Sequence, residues 1–369
     1  MIFFFYVSLV ILLLIGWRLA IRKRNVTVFQ NQPLVSIVIP TRNEENNIIL
    51  LLNDISAQSY QHIEVIIVDD HSDDATVRKI IQAMNRDNRF LLIENTGIGK
   101  KQALTTAIQS AKGSIIITTD ADCRVNINWI ESILPFFSND QIKMVFGGVR
   151  ISGQSFFDQV QALEFSSLIG SGAATSALGF PTMCNGANLA FRRDVFNEVG
   201  GYSGNLEIPS GDDEFLMRKI KAKYSAGIVF AGNSAAIVTT ASSKSFSAFI
   251  QQRIRWAGKW RHNQSLATVL LAFFIVGFQV LVLAMPALVV LHLVNPIIGS
   301  VLLLSKVIIE YILLKQVSNF LFIRWRWVTF VGLQILYPFY VVTIGLLSNF
   351  LSFSWKGRTL KSLIVSNKG

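Results

Sequence analysis

Short strands alternating with amphipathic helices, acidic residues at the carboxyl ends of those strands, and long uncharged apolar segments near both ends predict an α/β protein. The expected architecture is a mainly parallel sheet with helices on both faces, flanked by transmembrane helices. Composition supports the flanks. With 51% hydrophobic and only 15% charged residues among 369, the chain is too apolar for an ordinary soluble protein, and membrane segments account for the excess.

Residues 1–20 are apolar apart from Arg18, and Arg22, Lys23 and Arg24 follow at once. The apolar run has no charge before it and no small-residue cleavage site after it, which argues for a retained anchor (1–21) over a cleaved signal peptide. By the positive-inside rule, the region that follows is cytoplasmic.

From residue 33 the periodicity changes. A strand at 35–39 is expected to end at Pro40, and residues 43–48 open a helix carrying Ile48, Leu51, Leu52 and Ile55 on one side. Strand 63–68 runs into Asp69 and Asp70. Helix 75–84, strand 90–94, helix 101–111 and a β-branched strand at 115–119 complete the alternation. Thr41, Asp69, Asp70, Asp120 and Asp122 then fall along one sheet edge, the edge where parallel α/β sheets bind ligands.

Asp120 and Asp122, separated by one small residue, can hold a hard divalent cation placed to grip a diphosphate. A solvated loop start is the plain alternative, because aspartate favours turns. The stretch Gly97-Ile-Gly-Lys-Lys101 has glycines and cations that can cradle phosphate, yet it lacks Walker spacing, which excludes a P-loop. Lys100 is either a ligand-edge cation or part of a flexible basic loop.

Past residue 126 the pattern loosens into helix 129–137, strand 143–151, an amphipathic segment 156–178 broken by Gly170 and Gly172, and strand 189–191. Gly211 caps a helix with Asp212 and Asp213 at its amino end, a placement the helix dipole alone would explain. Strands at 228–231 and 236–240 follow. Ser245 starts a helix in which Phe246, Phe249, Ile250, Ile254 and Ala257 recur at three and four residues. Arg253, Lys259, Arg261 and His262 crowd its other faces, and with Trp256 and Trp260 the pattern is that of a helix in the membrane interface (244–264).

Residues 266–294, with a break near Pro286, 297–314 and 328–347 read as three spans within a membrane region at 265–350. Three spans put a tail at 351–369 outside, whereas Lys356, Arg358, Lys361 and Lys368 argue for the inside. Either one segment is re-entrant or interfacial, or those charges do not decide orientation. Lys306 and Glu310, one turn apart, are expected to pair. Cys123 and Cys184 supply no disulfide framework or zinc spacing and fit a reducing compartment. The net charge of +11 suits topology and anionic lipid, so no nucleic-acid partner is inferred.

Five motifs now stand in order: Val-Ser-Ile-Val-Ile-Pro-Thr-Arg-Asn-Glu-Glu (35–45), Val-Asp-Asp (68–70), Asp-Ala-Asp (120–122), Asp-Asp (212–213) and Gln-Arg-Ile-Arg-Trp (252–256). The set resembles the inverting family 2 glycosyltransferases, above all the membrane-embedded branch that includes cellulose, chitin and hyaluronan synthases and ceramide glucosyltransferases. The resemblance covers about residues 33–263. It implies a GT-A (Rossmann-like) catalytic domain at 33–243 and a nucleotide-diphosphate sugar donor, a UDP-sugar being expected, with Mg²⁺ or Mn²⁺ as cofactor. Carried over residue by residue, it places Thr41 and Glu44 near the nucleoside, Asp70 at the uracil edge with Asp69 close by, and Lys100 near the nucleotide. Asp120 falls beside the ribose or sugar, Asp122 on the metal, and Asp213 at the general base with Asp212 beside it. Gln252, Arg255 and Trp256 match the Gln-x-x-Arg-Trp motif at the diphosphate and acceptor. The loop from Asn185 to Asn188, with Arg192 and Arg193, resembles the acceptor-side loop. The pair Asp212-Asp213 replaces the commoner Glu-Asp, a conservative departure.

The expectation is an integral membrane protein, in a bacterial inner membrane, that transfers sugar to a lipid or lipid-linked acceptor. A processive polysaccharide synthase with a glycan acceptor is the alternative. A catalytically silent donor sensor or membrane scaffold is the reading from another class.

Overall fold

The computed structural model describes residues 1–22, 32–206, 211–258 and 266–348, and the backbone of 353–355 and 358–360. Lys23, Arg24, Lys259, Trp260, Arg261, His262, Lys356, Lys361 and Lys368, on which the orientation and interface expectations partly rest, lie outside the described residues.

The apolar anchor forms α1 (Ile2–Ala20). The βα alternation follows as β1 (Val35–Thr41), α2 (Ile48–Ser56), β2 (Ile63–Asp69), α3 (Thr76–Met84), β3 (Phe90–Glu94), α4 (Lys100–Ser110) and β4 (Ile115–Thr118). After α5 (Trp129–Ile133) come β5 (Met144–Gly147), β6 (Val149–Ser152), α6 (Phe156–Ala177), β7 (Leu189–Arg192), α7 (Arg193–Glu198), α8 (Asp212–Lys223), β8 (Ile228–Ala231) and β9 (Val238–Ala241). Helices α9 (Phe246–Ala257), α10 (Leu266–Val290), α11 (Pro296–Phe320) and α12 (Trp327–Leu347) end the helical part, and a short hairpin pairs β10 (Phe353–Trp355) with β11 (Arg358–Leu360).

Among the described residues the main sheet runs β3-β2-β1-β4-β7-β5-β8. Every pair is parallel except those of β7, which runs antiparallel to β4 and β5. Register aligns the carboxyl ends: Thr41 lies opposite Asp69, and Asp69 opposite Glu94. Ile37, Ile39, Val65, Ile67 and Ile117, fully buried, make the centre of the core.

Pro40 does not end β1, which continues to Thr41. Val38, of the same facing as Pro40, accepts from Thr119 N on the β4 side, and the β1–β4 ladder stops there. The missing proline N–H therefore falls past the last bond it could have made. The run at 143–151 is two strands in two sheets, split at Gly147 and Gly148: β5 joins the main sheet while β6 pairs with β9. Beyond α5, residues 134–138 continue as a 3₁₀ turn.

Helix α6 is continuous through Gly170 and Gly172, so the expected break is absent. These glycines serve packing: a Cβ on Gly170 would stand 2.6 Å from Val317 Cγ2, and one on Gly172 2.8 Å from the Met183 carbonyl. Pro286 likewise sits inside an unbroken α10.

Among the described residues four helices, α1 and α10 to α12, are long and apolar enough to cross a membrane. They are rooted in the α/β domain. Trp17, fully buried, lies 6.0 Å from the Phe230 ring of β8 and 5.3 Å from the Phe320 ring at the end of α11. The apolar helices thus continue the core of the sheet.

Candidate active site

The carboxyl ends of β1, β2 and β4 open into a cavity of about 1550 Å³. Thr41, Glu44, Asp70, Lys100, Asp120, Asp122, Asp212, Asp213, Gln252, Arg255 and Trp256 all line it. Asp69 does not; its carboxylate accepts from the Ser72 amide (2.9 Å) and hydroxyl (2.5 Å) and holds the turn after β2.

At the carboxyl end of β1, Thr41 is 2% exposed and its hydroxyl has no hydrogen-bond partner within the protein. Such an orphan in a cavity wall is a ready contact for a ligand. Asp70 Oδ1 accepts from Asn95 Nδ2 (2.8 Å) and the Gly99 amide (3.0 Å), which fixes the carboxylate over the Gly97–Gly99 loop. Gly99 has φ +96°, a conformation that suits glycine and turns the chain into α4. That turn delivers Lys100, at the helix start, to the centre of the site.

Lys100 Nζ lies 2.6 Å from Asp120 Oδ1 and 3.5 Å from Asp212 Oδ2. Burial would pull its pKa down, yet the fields of Asp120, Asp212 and Asp213 prevail and hold it above the ordinary lysine value. Arg255 shows the opposite balance: burial lowers its pKa against the pull of Asp120, Asp212, Asp213 and Asp122. Burial, then Asp122 and Asp120, raise the Cys123 thiol; burial, then Asp212 and Asp213, raise the Tyr202 phenol. Both groups are neutral at physiological pH.

Gly211, with φ +81°, starts α8 and sets the two aspartates in its first turn. Asp213 accepts from the Gly186 amide at Oδ2 (3.0 Å) and from the Glu214 amide at Oδ1 (2.8 Å). These two bonds orient the carboxylate at the cavity wall. Close approach demands glycine at 186, where a Cβ would stand 2.9 Å from Asp212 Oδ2.

No cluster of three or more His, Cys, Asp or Glu side chains forms a metal cage among the described residues. A hard cation bound chiefly by substrate phosphates needs only one or two protein carboxylates. Asp122, which receives a 3.5 Å bond from Thr240 Oγ1, fits that donor set.

Two features escape sequence reasoning. Arg253, read from sequence as one of the cations on the polar faces of the interfacial helix, is 3% exposed and paired with Glu164 of α6. Its guanidinium also donates to Gln252 Oε1 (2.5 Å) and lies 4.3 Å from the Trp256 ring. The loop from Asn185 divides: Asn185 and Gly186 line the cavity, while Asn188 bonds inward to Gly148 O and Ala236 O. Arg192 and Arg193 bond backbone carbonyls at Phe137, Ile142 and Ala111, away from the cavity. Nothing in the spacing of these residues announces such partners.

Residues 36–200 match the family model described as Glycosyl transferase family 2. The chain is 29% identical over 198 residues to the glycosyltransferase AglE of Haloferax volcanii, covering 52% of this chain and 63% of that protein. It is 29% identical over 205 residues to the glycosyltransferase GlyG of Streptococcus pneumoniae (50% and 64%). With the poly-β-1,6-N-acetyl-D-glucosamine synthase of Staphylococcus aureus it shares 24% over 229 residues (60% and 53%). The chain therefore spans under two thirds of the length of these relatives. In fold it is similar to the mannosyltransferase PcManGT of Pyrobaculum calidifontis, solved with GDP-Man and Mn²⁺, at a TM-score of 0.58 and 20% identity over 95% of this chain and 98% of that one.

Fold and matches define a GT-A α/β domain joined to apolar helices. Over residues 36–200 the chain is similar to glycosyl transferase family 2.

Proposed function

We propose that this chain is a membrane-bound, metal-dependent, inverting glycosyltransferase, moving a sugar from a nucleotide-diphosphate sugar, in first place a UDP-sugar, to a hydroxyl of a lipid or lipid-linked acceptor. One observation carries the reading: Lys100, Asp120, Asp122, Asp213 and Arg255 meet in a single cavity that runs on between α1, α10 and α12, where Leu13, Leu271 and Val341 line it.

The chemistry follows from that arrangement. Among the cations lining the cavity, Lys100 and Arg255 are assigned to the diphosphate, and a guanidinium can grip two of its oxygens at once. Asp213 takes the proton of the acceptor hydroxyl as its oxygen attacks the anomeric carbon opposite the leaving group. The carbon–oxygen bond to the diphosphate breaks, its electron pair leaves with the nucleoside diphosphate, and configuration inverts. Mg²⁺ or Mn²⁺, held by Asp122 and the phosphate oxygens, would offset the charge that develops on the departing diphosphate. The Mn²⁺ and GDP-mannose bound by the similar mannosyltransferase support a metal here, without deciding between a UDP- and a GDP-sugar. On this reading, the catalytic domain faces the cytoplasm, where nucleotide sugars are made.

Similarity to the S. aureus poly-N-acetylglucosamine synthase favours a second reading, repeated addition to a polysaccharide. One assay addresses both. Nucleoside diphosphate release is measured across sugar nucleotides, with and without lipid acceptors, and products are sized by mass spectrometry. A single mass increment supports single transfer, a ladder supports polymerisation, and no release with any donor would sink the transferase reading.

A further inference from the structure

Ionisable and amide side chains are costly in a membrane span and mark function when they face a cavity. Trp17 and Phe320 root α1 and α11 in the α/β domain, and Tyr6 and Glu310 stand roughly 15 Å from those roots along their helices at 1.5 Å rise per residue. At that level the Tyr6 hydroxyl donates to Glu310 Oε1 (2.5 Å), and Lys306 Nζ donates to Glu310 Oε2 (3.0 Å) and Gln334 Oε1 (2.7 Å). Gln334 Nε2 completes the ring of bonds on Glu310 Oε2 (2.8 Å). The expected pairing of Lys306 with Glu310 is present, and it recruits α1 and α12.

Helix α10 contributes a side chain that does not fit this closed set. Gln279 is 1% exposed, and neither its amide nitrogen nor its amide oxygen has a hydrogen-bond partner within the protein. Its neighbour Phe278 stacks on Tyr6 at 3.8 Å between ring centroids, which sets Gln279 at the level of the Glu310 cluster. Gln279, Tyr6, Glu310 and Gln334 line the same cavity as Asp213 and Trp256. A buried amide with both ends unmet is expensive, and interhelical glue would have found its partner.

We infer that Gln279, backed by the Tyr6–Glu310–Gln334 cluster, is a seat for the uncharged hydroxyl- or amide-bearing headgroup of an acceptor lipid. Charge selects against a phosphate here. Lys306 is matched by Glu310 and Arg253 by Glu164, so these cations add no net positive field. Gln279 offers one donor group and one acceptor, the complement of a hydroxyl or an amide. Leu9, Val10, Leu13, Leu271 and Leu313 supply the apolar wall that a lipid chain needs.

The role as an acceptor seat rests on the transferase reading, but binding is measurable without donor, so the two fail separately. The full-length chain in phosphatidylcholine nanodiscs is titrated with dodecyl β-maltoside, dodecyl phosphate and maltotetraose. The maltoside is expected to bind at least about tenfold tighter than either of the others, and Gln279→Leu to weaken it by about tenfold, as for loss of a buried hydrogen-bond partner. Gln279→Asn, which keeps the amide, should restore most of the affinity. Nucleotide-sugar binding by each variant reports folding. Tighter binding of the phosphate, or maltoside binding by a folded Gln279→Leu variant at wild-type affinity, would overturn the seat. Equal binding of maltotetraose would overturn the lipid and assign the site to free glycan. If nucleoside diphosphate release fails while selective maltoside binding persists, the transferase reading falls and the seat stands.

Discussion

The Arg253 guanidinium meets the Glu164 carboxylate in a two-pronged pair, Nε to Oε1 at 3.1 Å and Nη2 to Oε2 at 2.5 Å. The pair fastens α9 to α6, with Tyr340 of α12 donating to the same carboxylate at 2.9 Å. Gln252, Arg255 and Trp256 are therefore presented to the cavity by a helix whose buried face is clamped. Breaking one partner of a buried pair leaves an uncompensated charge. Glu164→Gln should cost about 3 kcal/mol of stability, read as a lower thermal midpoint in detergent, and it should reduce turnover through the loosened Trp256. An unchanged midpoint would mean that α9 is held by its apolar contacts alone.

On the proposed reading, Lys100 is the central cation of the donor site. Lys100→Met removes it from a set of carboxylates and should weaken nucleotide-sugar binding at least about tenfold, the scale of one charge-assisted hydrogen bond. Because its pKa is raised, the ammonium persists below the ordinary lysine range and is lost only as pH climbs past it. Donor affinity measured from about pH 6 to 9 should accordingly show no step owing to Lys100. A titration in that window that disappears in the Lys100→Met variant would contradict the assignment.

Metal removal tests Asp122. EDTA should abolish transfer, and added Mn²⁺ or Mg²⁺ should restore it. Asp122→Asn should raise the metal concentration needed for half-maximal activity by about tenfold or more, since a neutral amide is the poorer ligand for a hard cation. Full activity in EDTA would remove the metal from the site.

The sheet and its ligand edge are legible because their signals are local. Short, near-continuous β-branched runs leading to Thr41, Asp70 and Asp120 need no tertiary information to be read. The misplaced features depend on distant partners. Whether Gly170 interrupts α6 is decided by Val317, and whether Arg253 lies on an open polar face or is buried is decided by Glu164, 89 residues away. Asp69 and Asp70 look alike in sequence, yet the side of the strand end to which each turns separates a turn-holding carboxylate from a cavity-lining one. The strand split falls at the Gly147-Gly148 pair, a break signal in sequence, but which sheet each half joins is set by its distant partners β8 and β9.

Asp87 provides a pH prediction away from the site. Bonds from the Arg89 side chain outweigh its burial and hold its pKa at about 2, below the ordinary 3.8. A depressed folded-state pKa contributes stability above the unfolded value, and that contribution is lost as pH falls from about 4 through about 2. Asp87→Asn should therefore destabilise the protein by about 2 kcal/mol at neutral pH, with the gap to wild type closing near pH 2. A difference in thermal midpoint that does not change with pH would assign the loss to packing.

Asp213 is the sharpest test of the chemistry. Its two oxygens are held by the Gly186 and Glu214 amides, bonds that an asparagine can keep in part through its own carbonyl. Asp213→Asn preserves volume and removes only the capacity to take a proton, so transfer should fall by a factor of about 100 or more while nucleotide-sugar binding stays within about threefold. The two readouts separate a lost base from a collapsed site, because a variant that has lost both has been misfolded. Turnover near the wild-type rate would move the base elsewhere, and Asp212, 3.5 Å from Lys100 and already paired to it, would be the poorer substitute, since a nearby ammonium lowers a carboxylate's affinity for the proton.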